Sequence, residues 1–236
     1  MDSVQTPAPS CRRAPAQALI EEIVPPPAAC ADTRADLDAE LLAGEHAHVA
    51  RAVPARRAEF VTGRACARLA LARLGLARRS IPSGPRGEPT WPRGVVGSIT
   101  HCDGYRGAAV ARTAQIAALG IDAEPNAELP AGVLEAIGLP PERAWVDRLS
   151  ATRPGVCWDR LLFCAKEAVY KTWYPLTQRP LGFEDAAVTV DAGQGRFTAR
   201  LRTAGPVHRG RELTEFTGRW MVRENLILTA IILSAV

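Results

Sequence analysis

Residues 158–174 of this 236-residue chain read WDRLLFCAKEAVYKTWY and form its clearest helical pattern. Its apolar residues recur every three to four positions, which predicts a helix with one buried stripe. Of the 29 basic residues in the chain, only Lys166 and Lys171 are lysines, and both lie here. Lysine is a compact point charge, whereas arginine is a rigid planar fork. The pattern therefore predicts a largely buried helix in which an ammonium group has a specific task, with chance in an arginine-rich composition as the alternative.

The same helix carries an acidic residue one turn before its second lysine. Glu167 and Lys171 stand at i and i+4 and share a face, with Tyr170 beside them. An ordinary exposed pair of this kind contributes only about 0.3–0.5 kcal/mol. The apolar residues around the pair favour burial instead, so we expect the glutamate to have a cation partner, either a metal ion or lysine.

Two further clusters lie upstream of this helix. In Gly120-Ile-Asp-Ala-Glu124, Asp122 and Glu124 alternate at the end of an apolar run, so in a strand both carboxylates project from one face. Paired carboxylates attract a hard cation such as Mg²⁺, although a solvated strand end is the ordinary alternative. In Gly97-Ser-Ile-Thr-His-Cys102, hydroxyl groups beside His101 suit anion binding, and a purely structural histidine is the alternative.

The rest of the chain predicts a mixed α+β architecture. Residues 1–17 are rich in Pro, Ala and Ser, which predicts a disordered tail. Helices are predicted over 58–76, over a broken stretch at 134–149 and over 158–174. Short apolar runs predict a first strand at 19–24, three strands of one sheet at 94–100, 107–112 and 115–122, and an antiparallel meander over 187–190, 196–201, 218–222 and 226–233. Helix followed by strands occurs twice, so the chain is predicted to consist of two similar halves.

Composition restricts the class of protein. A formal net charge of +4 is too mild to demand a nucleic-acid partner, yet it favours an acidic small molecule or protein. The six cysteines form no CxxC pair, which predicts free thiols in a reducing cytoplasm rather than a zinc ribbon. The longest apolar run, 226–236, is too short to span a bilayer, and the N-terminus lacks the pattern of a signal peptide. We therefore expect no membrane association.

These motifs together resemble a known family. GSITHC at 97–102, GIDAE at 120–124 and FCAKEAVYK at 163–171 are similar, in order and in spacing, to the signature set of the 4′-phosphopantetheinyl transferases. Within that family the chain most resembles the larger, Sfp-type class and its enterobactin-type actinobacterial branch. Stretches 56–60, 87–89, 173–177 and 181–185 share the resemblance, which runs from about residue 19 to residue 233.

The resemblance implies a fold, a reaction and a set of partners. The fold would be a pseudo-twofold α+β unit, with halves at 18–114 and 115–236 and the site in the cleft between them. Such an enzyme, a holo-[acyl-carrier-protein] synthase, transfers the phosphopantetheine arm of coenzyme A to a serine of apo acyl or peptidyl carrier proteins and releases adenosine 3′,5′-bisphosphate. The cofactor would be Mg²⁺, with Mn²⁺ as an alternative. Polyketide, non-ribosomal peptide or siderophore synthesis would be served, by a monomer.

The resemblance also implies residue roles. Asp122, Glu124 and Glu167 would hold the metal, Glu167 would act as base, and Lys171 would bind the α-phosphate and neutralise the leaving group. Contacts to coenzyme A would come from the remaining matched positions, Arg56, Arg64, Arg86, Glu88, Pro89, Thr100, His101 and Lys166. Of these, Lys166 is expected on the other side of its helix, towards the carrier protein or the phosphates. Helical geometry alone aligns Arg57 rather than Arg56 with Arg64, whereas the motif favours Arg56. Ser83 stands where the family carries a basic residue, so Arg86 is expected to compensate.

The sequence is also compatible, to different degrees, with three other functions. A non-catalytic binder of coenzyme A or a nucleotide would keep the arginines and His101 but would not need three carboxylates and Lys171. A metal-dependent phosphohydrolase would release product without a carrier protein. A nucleic-acid module is disfavoured, because only three tyrosines are present and the arginines are scattered along the chain.

Overall fold

The structure is a computed structural model, and it describes residues 18–236. The predicted disordered tail, 1–17, lies outside the described residues. Short 3₁₀ helices occupy Leu19–Glu22 and Phe183–Asp185. The helices and strands, in chain order, are β1 (Ala29–Thr33), α1 (His46–Val49), α2 (Pro54–Arg73), β2 (Val95–Cys102), β3 (Tyr105–Arg112), β4 (Ile116–Pro125), α3 (Val133–Ile137), α4 (Pro140–Thr152), α5 (Trp158–Thr177), β5 (Ala186–Asp191), β6 (Arg196–Leu201), β7 (Val207–His208), β8 (Arg211–Glu212), β9 (Glu215–Arg223) and β10 (Leu226–Ser234).

A three-stranded antiparallel sheet carries α2 on one face. Its strand order is β1-β3-β2, so the central strand β3 pairs on both sides. The buried side of α2 consists mainly of small residues, among them Cys66, Ala67 and Ala70, which pack against Ala108 and Val110 of β3. Small side chains at such a contact let the helix lie close to the sheet, and this fixes the position of the arginines that α2 carries.

A five-stranded antiparallel sheet with the order β4-β10-β9-β6-β5 carries α4 and α5. The core beneath α5 contains large side chains, including Trp158, Trp173 and Phe197, which are almost fully buried. Gly120 of β4 permits the closest approach, because a Cβ atom there would lie 2.3 Å from the carbonyl oxygen of Ala168. The absence of a side chain at Gly120 therefore lets α5 lie directly on β4.

The two sheets meet where β2 lies alongside β4. Side-chain hydroxyls of Ser98 and Thr100 on β2 receive hydrogen bonds from the backbone N–H groups of Ile121 and Ala123, at 3.1 and 3.0 Å. Residue numbers rise together on both strands, so the two edges run parallel. This junction brings α2 and α5, one from each sheet, to the two sides of a common cleft.

The structure confirms most of the predicted elements. The mixed helix-and-strand architecture, the 158–174 helix, the broken helix at 134–149 and the C-terminal meander are present. The predicted strand at 19–24 is wrong: the segment starts with a 3₁₀ helix, whose Ile20 N–H is held by the Asp32 carboxylate. The expectation that 115–122 shares a sheet with the two preceding strands is also wrong. That segment belongs to β4, which pairs with β10 from the far end of the chain. The division into halves at residue 114 stays a prediction.

Candidate functional site

A cavity of about 500 Å³ opens between α2, the loop at 86–91, β2 and α5. Charged side chains that can bind phosphate lie on its wall on both sides of the cleft. The wall includes eight of the residues predicted from sequence, namely Arg56, Arg64, Arg86, Glu88, Pro89, His101, Glu167 and Lys171. The chain folds so that motifs about 110 residues apart in sequence, on α2 and α5, face the same space.

Lys171 on α5 makes the contact that links the two sequence motifs. Its Nζ atom donates a 2.6 Å hydrogen bond to Oδ1 of Asp122 on β4. The hydroxyl of Thr100 donates to the same oxygen at 3.0 Å. Burial would lower the pKa of Lys171, but the charge and hydrogen bond of Asp122, with Glu167 nearby, outweigh that effect and raise the pKa above its ordinary value. Lys171 is therefore a firmly protonated cation on the cavity wall.

The environment favours the charged form of Lys171 but disfavours the charged form of the two glutamates, Glu124 and Glu167. Burial and the nearby charge of Asp122 raise the pKa of Glu124 to about 7, although Arg160 opposes the shift through a 3.1 Å ion pair. The pKa of Glu167 is also raised, by burial and by Asp122, with Lys171 acting against it. A carboxyl group with a pKa of about 7, such as that of Glu124, can take up and release a proton under working conditions.

The three carboxylates do not form a preassembled metal site. Within residues 18–236, no three His, Cys, Asp or Glu side chains are arranged to hold one ion together. Lys171 and Arg160 instead engage Asp122 and Glu124. The assignment of Asp122, Glu124 and Glu167 as metal ligands stays a prediction, because Asp122 and Glu124 are paired with these basic side chains instead.

The same carboxylates nevertheless fit a hard divalent cation. Oδ2 of Asp122 is buried and has no hydrogen-bond partner, an arrangement that normally has a cause. The negative charge of Asp122 also raises the pKa of both Glu124 and Glu167. A cation with oxygen ligands would satisfy the free oxygen and remove the repulsion.

Arg56 and His101 form a second polar group on the opposite wall. Arg56 Nη1 lies 2.7 Å from Nε2 of His101 and 3.1 Å from Glu59 Oε2. Because a guanidinium only donates, Nε2 accepts and the ring proton resides on Nδ1, which lies 3.6 Å from Glu59. Burial, followed by the charge of Arg56, lowers the pKa of His101, with Glu59 opposing. Arg57 is exposed and does not line the cavity, so the structure favours the motif-based choice of Arg56.

Arg64 is buried and held by its neighbours. Its Nε donates 2.7 Å to the carbonyl of Ile81 and its Nη2 donates 3.0 Å to the hydroxyl of Ser83. Its guanidinium carbon lies 4.3 Å from the ring centroid of Phe60. Burial lowers the pKa of Arg64 to about 10, so it keeps its charge at neutral pH. The serine at position 83 thus orients Arg64 rather than adding a cation of its own.

The loop at 83–89 carries Arg86, Glu88 and Pro89 to the cavity. Oε2 of Glu88 accepts 2.9 Å from the backbone N–H of Arg86, so this carboxylate folds back on its own loop. Gly84 makes room for it, because a Cβ atom there would come within 2.0 Å of Glu88 Oε1. The guanidinium of Arg86 lies 5.8 Å from the ring centroid of Tyr174 on α5. Glu88 therefore shapes the loop, and Arg86 reaches across the cleft.

Two predicted ligands of coenzyme A do not face the cavity. Lys166 is 3% exposed, and its Nζ contacts Glu142 Oε2 at 2.9 Å and the carbonyls of Phe183 and Ala186. All its donors are used on the side of α5 that packs against α4 and β5. Thr100 is 1% exposed, and its hydroxyl is committed to Asp122 and Ala123. Neither side chain lines the cavity, and a role of Lys166 and Thr100 in binding the co-substrate stays a prediction.

Sequence reasoning missed several residues on the wall. His48 stacks on Phe60, with ring centroids 5.1 Å apart, and nothing in the sequence around it indicated this role. Glu59 could have been found from its position three residues after Arg56. Tyr174 and Gln178 continue the helix face that begins with Glu167, at i+7 and i+11.

Comparison with known proteins matches most of the chain to one family. Residues 44–111 match the profile of the 4′-phosphopantetheinyl transferase N-terminal domain, and residues 118–225 match that of the 4′-phosphopantetheinyl transferase superfamily. The chain is 59% identical over 191 residues to the 4′-phosphopantetheinyl transferase Svp of Streptomyces mobaraensis, covering 81% of this chain and 78% of that protein. It is 53% identical over 190 residues to PptT of Mycobacterium tuberculosis, covering 78% and 82% respectively.

A more distant relative supports the same assignment. Enterobactin synthase component D of Salmonella typhi is 32% identical over 141 residues, covering 57% of this chain and 55% of that protein. The resemblance drawn from the three sequence motifs is thereby confirmed over most of the chain. The chain belongs to the 4′-phosphopantetheinyl transferase superfamily.

Proposed function

We propose that the protein transfers the 4′-phosphopantetheine arm of coenzyme A to a serine of an apo carrier protein and releases adenosine 3′,5′-bisphosphate. The observation that carries the proposal is the position of Glu167 and Lys171, a base and a cation one helical turn apart, on a cavity whose opposite wall carries Arg56, Arg64 and His101. Phosphoryl transfer requires mainly positioning and charge neutralisation, and this wall can provide both.

The cations divide into two sets with different tasks. Arg56, Arg64 and Arg86 line the cavity and would hold the phosphates of the adenosine end, with His101 adding a hydrogen bond. Arginine suits this role because its planar fork matches phosphate oxygens. Lys171 lies beside the carboxylates and would neutralise the oxygen that leaves with the bisphosphate.

The carboxylates would prepare the attacking group. A serine O–H of the carrier protein would give its proton to Glu167 while its oxygen attacks the β-phosphorus, and the bond from that phosphorus to the bisphosphate would break. Burial and the charge of Asp122 raise the pKa of Glu167, which makes its carboxylate a better proton acceptor. Mg²⁺, or Mn²⁺ in its place, held by Asp122, Glu124 and Glu167, would neutralise charge on the pyrophosphate.

The partners follow from the proposed reaction. This protein would act as a monomer, with the carrier protein as its macromolecular substrate. Its net charge of +4 favours a carrier protein with an acidic surface. Similarity to an enterobactin synthase component supports a role in siderophore synthesis, and polyketide or non-ribosomal peptide synthesis are the alternatives. The five free cysteines among the described residues fit a reducing, cytoplasmic location. No helix within residues 18–236 has the length and hydropathy that crossing a bilayer requires.

Chromatographic measurement of adenosine 3′,5′-bisphosphate tests the proposal. We expect product only when coenzyme A, Mg²⁺ and an apo carrier protein are all present, and EDTA should abolish it until Mg²⁺ is restored. Product without a carrier protein would indicate a phosphohydrolase. Tight binding of coenzyme A without product, across a panel of apo carrier proteins, would indicate a non-catalytic binder.

A further inference from the structure

Two buried hydroxyl groups join the two sheets, and they make different contacts. Ser98 and Thr100 stand two residues apart on β2 and are 3% and 1% exposed. The Ser98 hydroxyl accepts from the backbone N–H of Ile121 and donates to its carbonyl at 3.5 Å. The Thr100 hydroxyl accepts from the N–H of Ala123 but donates to a side chain, Oδ1 of Asp122. Of these two hydroxyls, only that of Thr100 bonds to a carboxylate of the site.

The hydrogen bonds of Thr100 have a fixed direction. A hydroxyl has one proton, and the backbone N–H of Ala123 can only donate, so the single proton of Thr100 points to Asp122. Thr100 therefore has no proton left for the co-substrate.

The hydrogen bond from Thr100 to Asp122 determines which carboxylate oxygen of Asp122 remains without a partner. Thr100 and Lys171 both donate to Oδ1, at 3.0 and 2.6 Å, and Oδ2 is left buried without a partner. Two donors from different elements, β2 and α5, fix the rotation of the carboxylate. His101, which follows Thr100 on β2, faces the cavity and contacts Arg56.

We propose that Thr100 is a positioning residue that orients Asp122 and so holds Oδ2 ready for the divalent cation. The inference rests on the proposed function and assigns a task that neither the sequence motif nor the relatives' names supply. The strand β2 thereby positions groups in two parts of the site. His101 contacts Arg56, a proposed phosphate ligand, and Thr100 orients the carboxylate of Asp122. Partners of this kind behind a metal ligand typically change metal affinity or activity by about 10- to 100-fold.

Ser98 provides the matched control. Ser98→Ala removes a hydroxyl bridge between the same two strands but leaves Asp122 untouched. Thr100→Val keeps the shape and removes the hydroxyl, whereas Thr100→Ser keeps the hydroxyl. Thr100→Ala makes the same test as Thr100→Val if the valine variant does not fold. Comparing the four proteins separates a general loss of the junction from a specific loss at Asp122.

Two readouts test the inference. Mn²⁺ binding, measured by electron paramagnetic resonance in the presence of coenzyme A, should weaken by about 10- to 100-fold in Thr100→Val and recover in Thr100→Ser. With a carrier protein, kcat of Thr100→Val should fall by about tenfold or more while KM for coenzyme A changes little. Ser98→Ala should lose comparable thermal stability yet keep wild-type Mn²⁺ binding, because its hydroxyl makes no contact with Asp122.

Three results would overturn the inference. Wild-type Mn²⁺ binding in Thr100→Val would remove the positioning role. Equal losses in Thr100→Val and Ser98→Ala would make Thr100 a structural bridge only. A raised KM for coenzyme A at unchanged kcat would make it a ligand of the co-substrate. Failure of the wild type to transfer the arm would instead count against the proposed function, and the Mn²⁺ comparison would still test Thr100.

Discussion

Lys171 and Asp122, 49 residues apart in the sequence, are joined by a 2.6 Å hydrogen bond from Nζ to Oδ1. The bond links α5 to β4 at the floor of the cleft, where the lysine is 26% exposed and the aspartate 6%. One end of the pair can thus be reached from the cavity, and the other is fixed in the protein. The ammonium is positioned by a carboxylate that also has a free oxygen for a cation.

Replacing Lys171 should affect the chemical step. Lys171→Ala removes the cation proposed to neutralise the leaving group, so we expect kcat to fall by about 100-fold or more, a loss of roughly 3 kcal/mol of transition-state stabilisation. Steady-state kinetics with an apo carrier protein measures the effect. Lys171→Arg retains the charge and should recover part of the rate. Wild-type kcat in Lys171→Ala would remove its role.

Replacing Lys166 should affect stability instead. Lys166→Ala leaves the buried carboxylate of Glu142 without its cation, and breaking such a pair typically costs about 3–5 kcal/mol. Urea unfolding measures the loss. Arg78→Ala, which breaks an exposed pair with Glu40, is the matched control and should cost less than about 1 kcal/mol. Equal small losses in both variants would contradict the buried ion pair. The kcat of folded Lys166→Ala should fall less than that of Lys171→Ala.

Gly120 should tolerate no side chain. In Gly120→Ala the new methyl group would lie 2.3 Å from the carbonyl oxygen of Ala168 and 2.4 Å from Oγ1 of Thr172, so α5 must move away from β4. Overpacking of this kind costs about 1–3 kcal/mol, which thermal unfolding would report. At Gly193 the nearest atom would be 3.4 Å away, so Gly193→Ala should change little. An unchanged melting temperature for Gly120→Ala would contradict the close contact.

His101 should make stability depend on pH. Its folded pKa lies below its ordinary value, because burial and Arg56 disfavour the charged ring. As pH falls through the ordinary value of about 6.5, the unfolded chain takes up a proton that the folded chain resists, so the free energy of unfolding falls. Above that pH this contribution is fully present. Urea unfolding from about pH 7.5 to about pH 5 should show a steeper loss for wild type than for His101→Gln. Parallel curves would contradict the shift.

The sequence predicted most of the local elements, for physical reasons. The α5 stripe at 158–174 is a local periodicity, and Glu167 and Lys171 share a face because four residues make about one turn. The position of β4 could not be read locally, because its partner β10 lies at the far end of the chain. An apolar run predicts a strand, yet it does not say which strand it joins.

The bonding partner of a side chain was harder to predict than the helix or strand face on which the side chain lies. Lys166 was expected on the other side of α5 from Lys171, but only the packing of α4 and β5 against α5 reveals its ion pair with Glu142. Thr100 was expected to serve a phosphate because hydroxyls suit anions, but the strand alternation that turns His101 to the cavity turns Thr100 towards β4. Glu124 likewise acquires Arg160, which no motif indicated.

The central assignment, that Glu167 begins transfer to a carrier protein, is tested most directly by intact-mass measurement of an apo carrier protein. The carrier is incubated with coenzyme A, Mg²⁺ and either wild type or Glu167→Gln, with calorimetry to establish that both bind coenzyme A. We expect the carrier to gain the mass of one phosphopantetheine arm with wild type and to remain almost entirely unmodified with Glu167→Gln over the same period. A carrier that gains the arm equally fast with both proteins would contradict the role of Glu167, and one that gains nothing with wild type would contradict the proposed transfer.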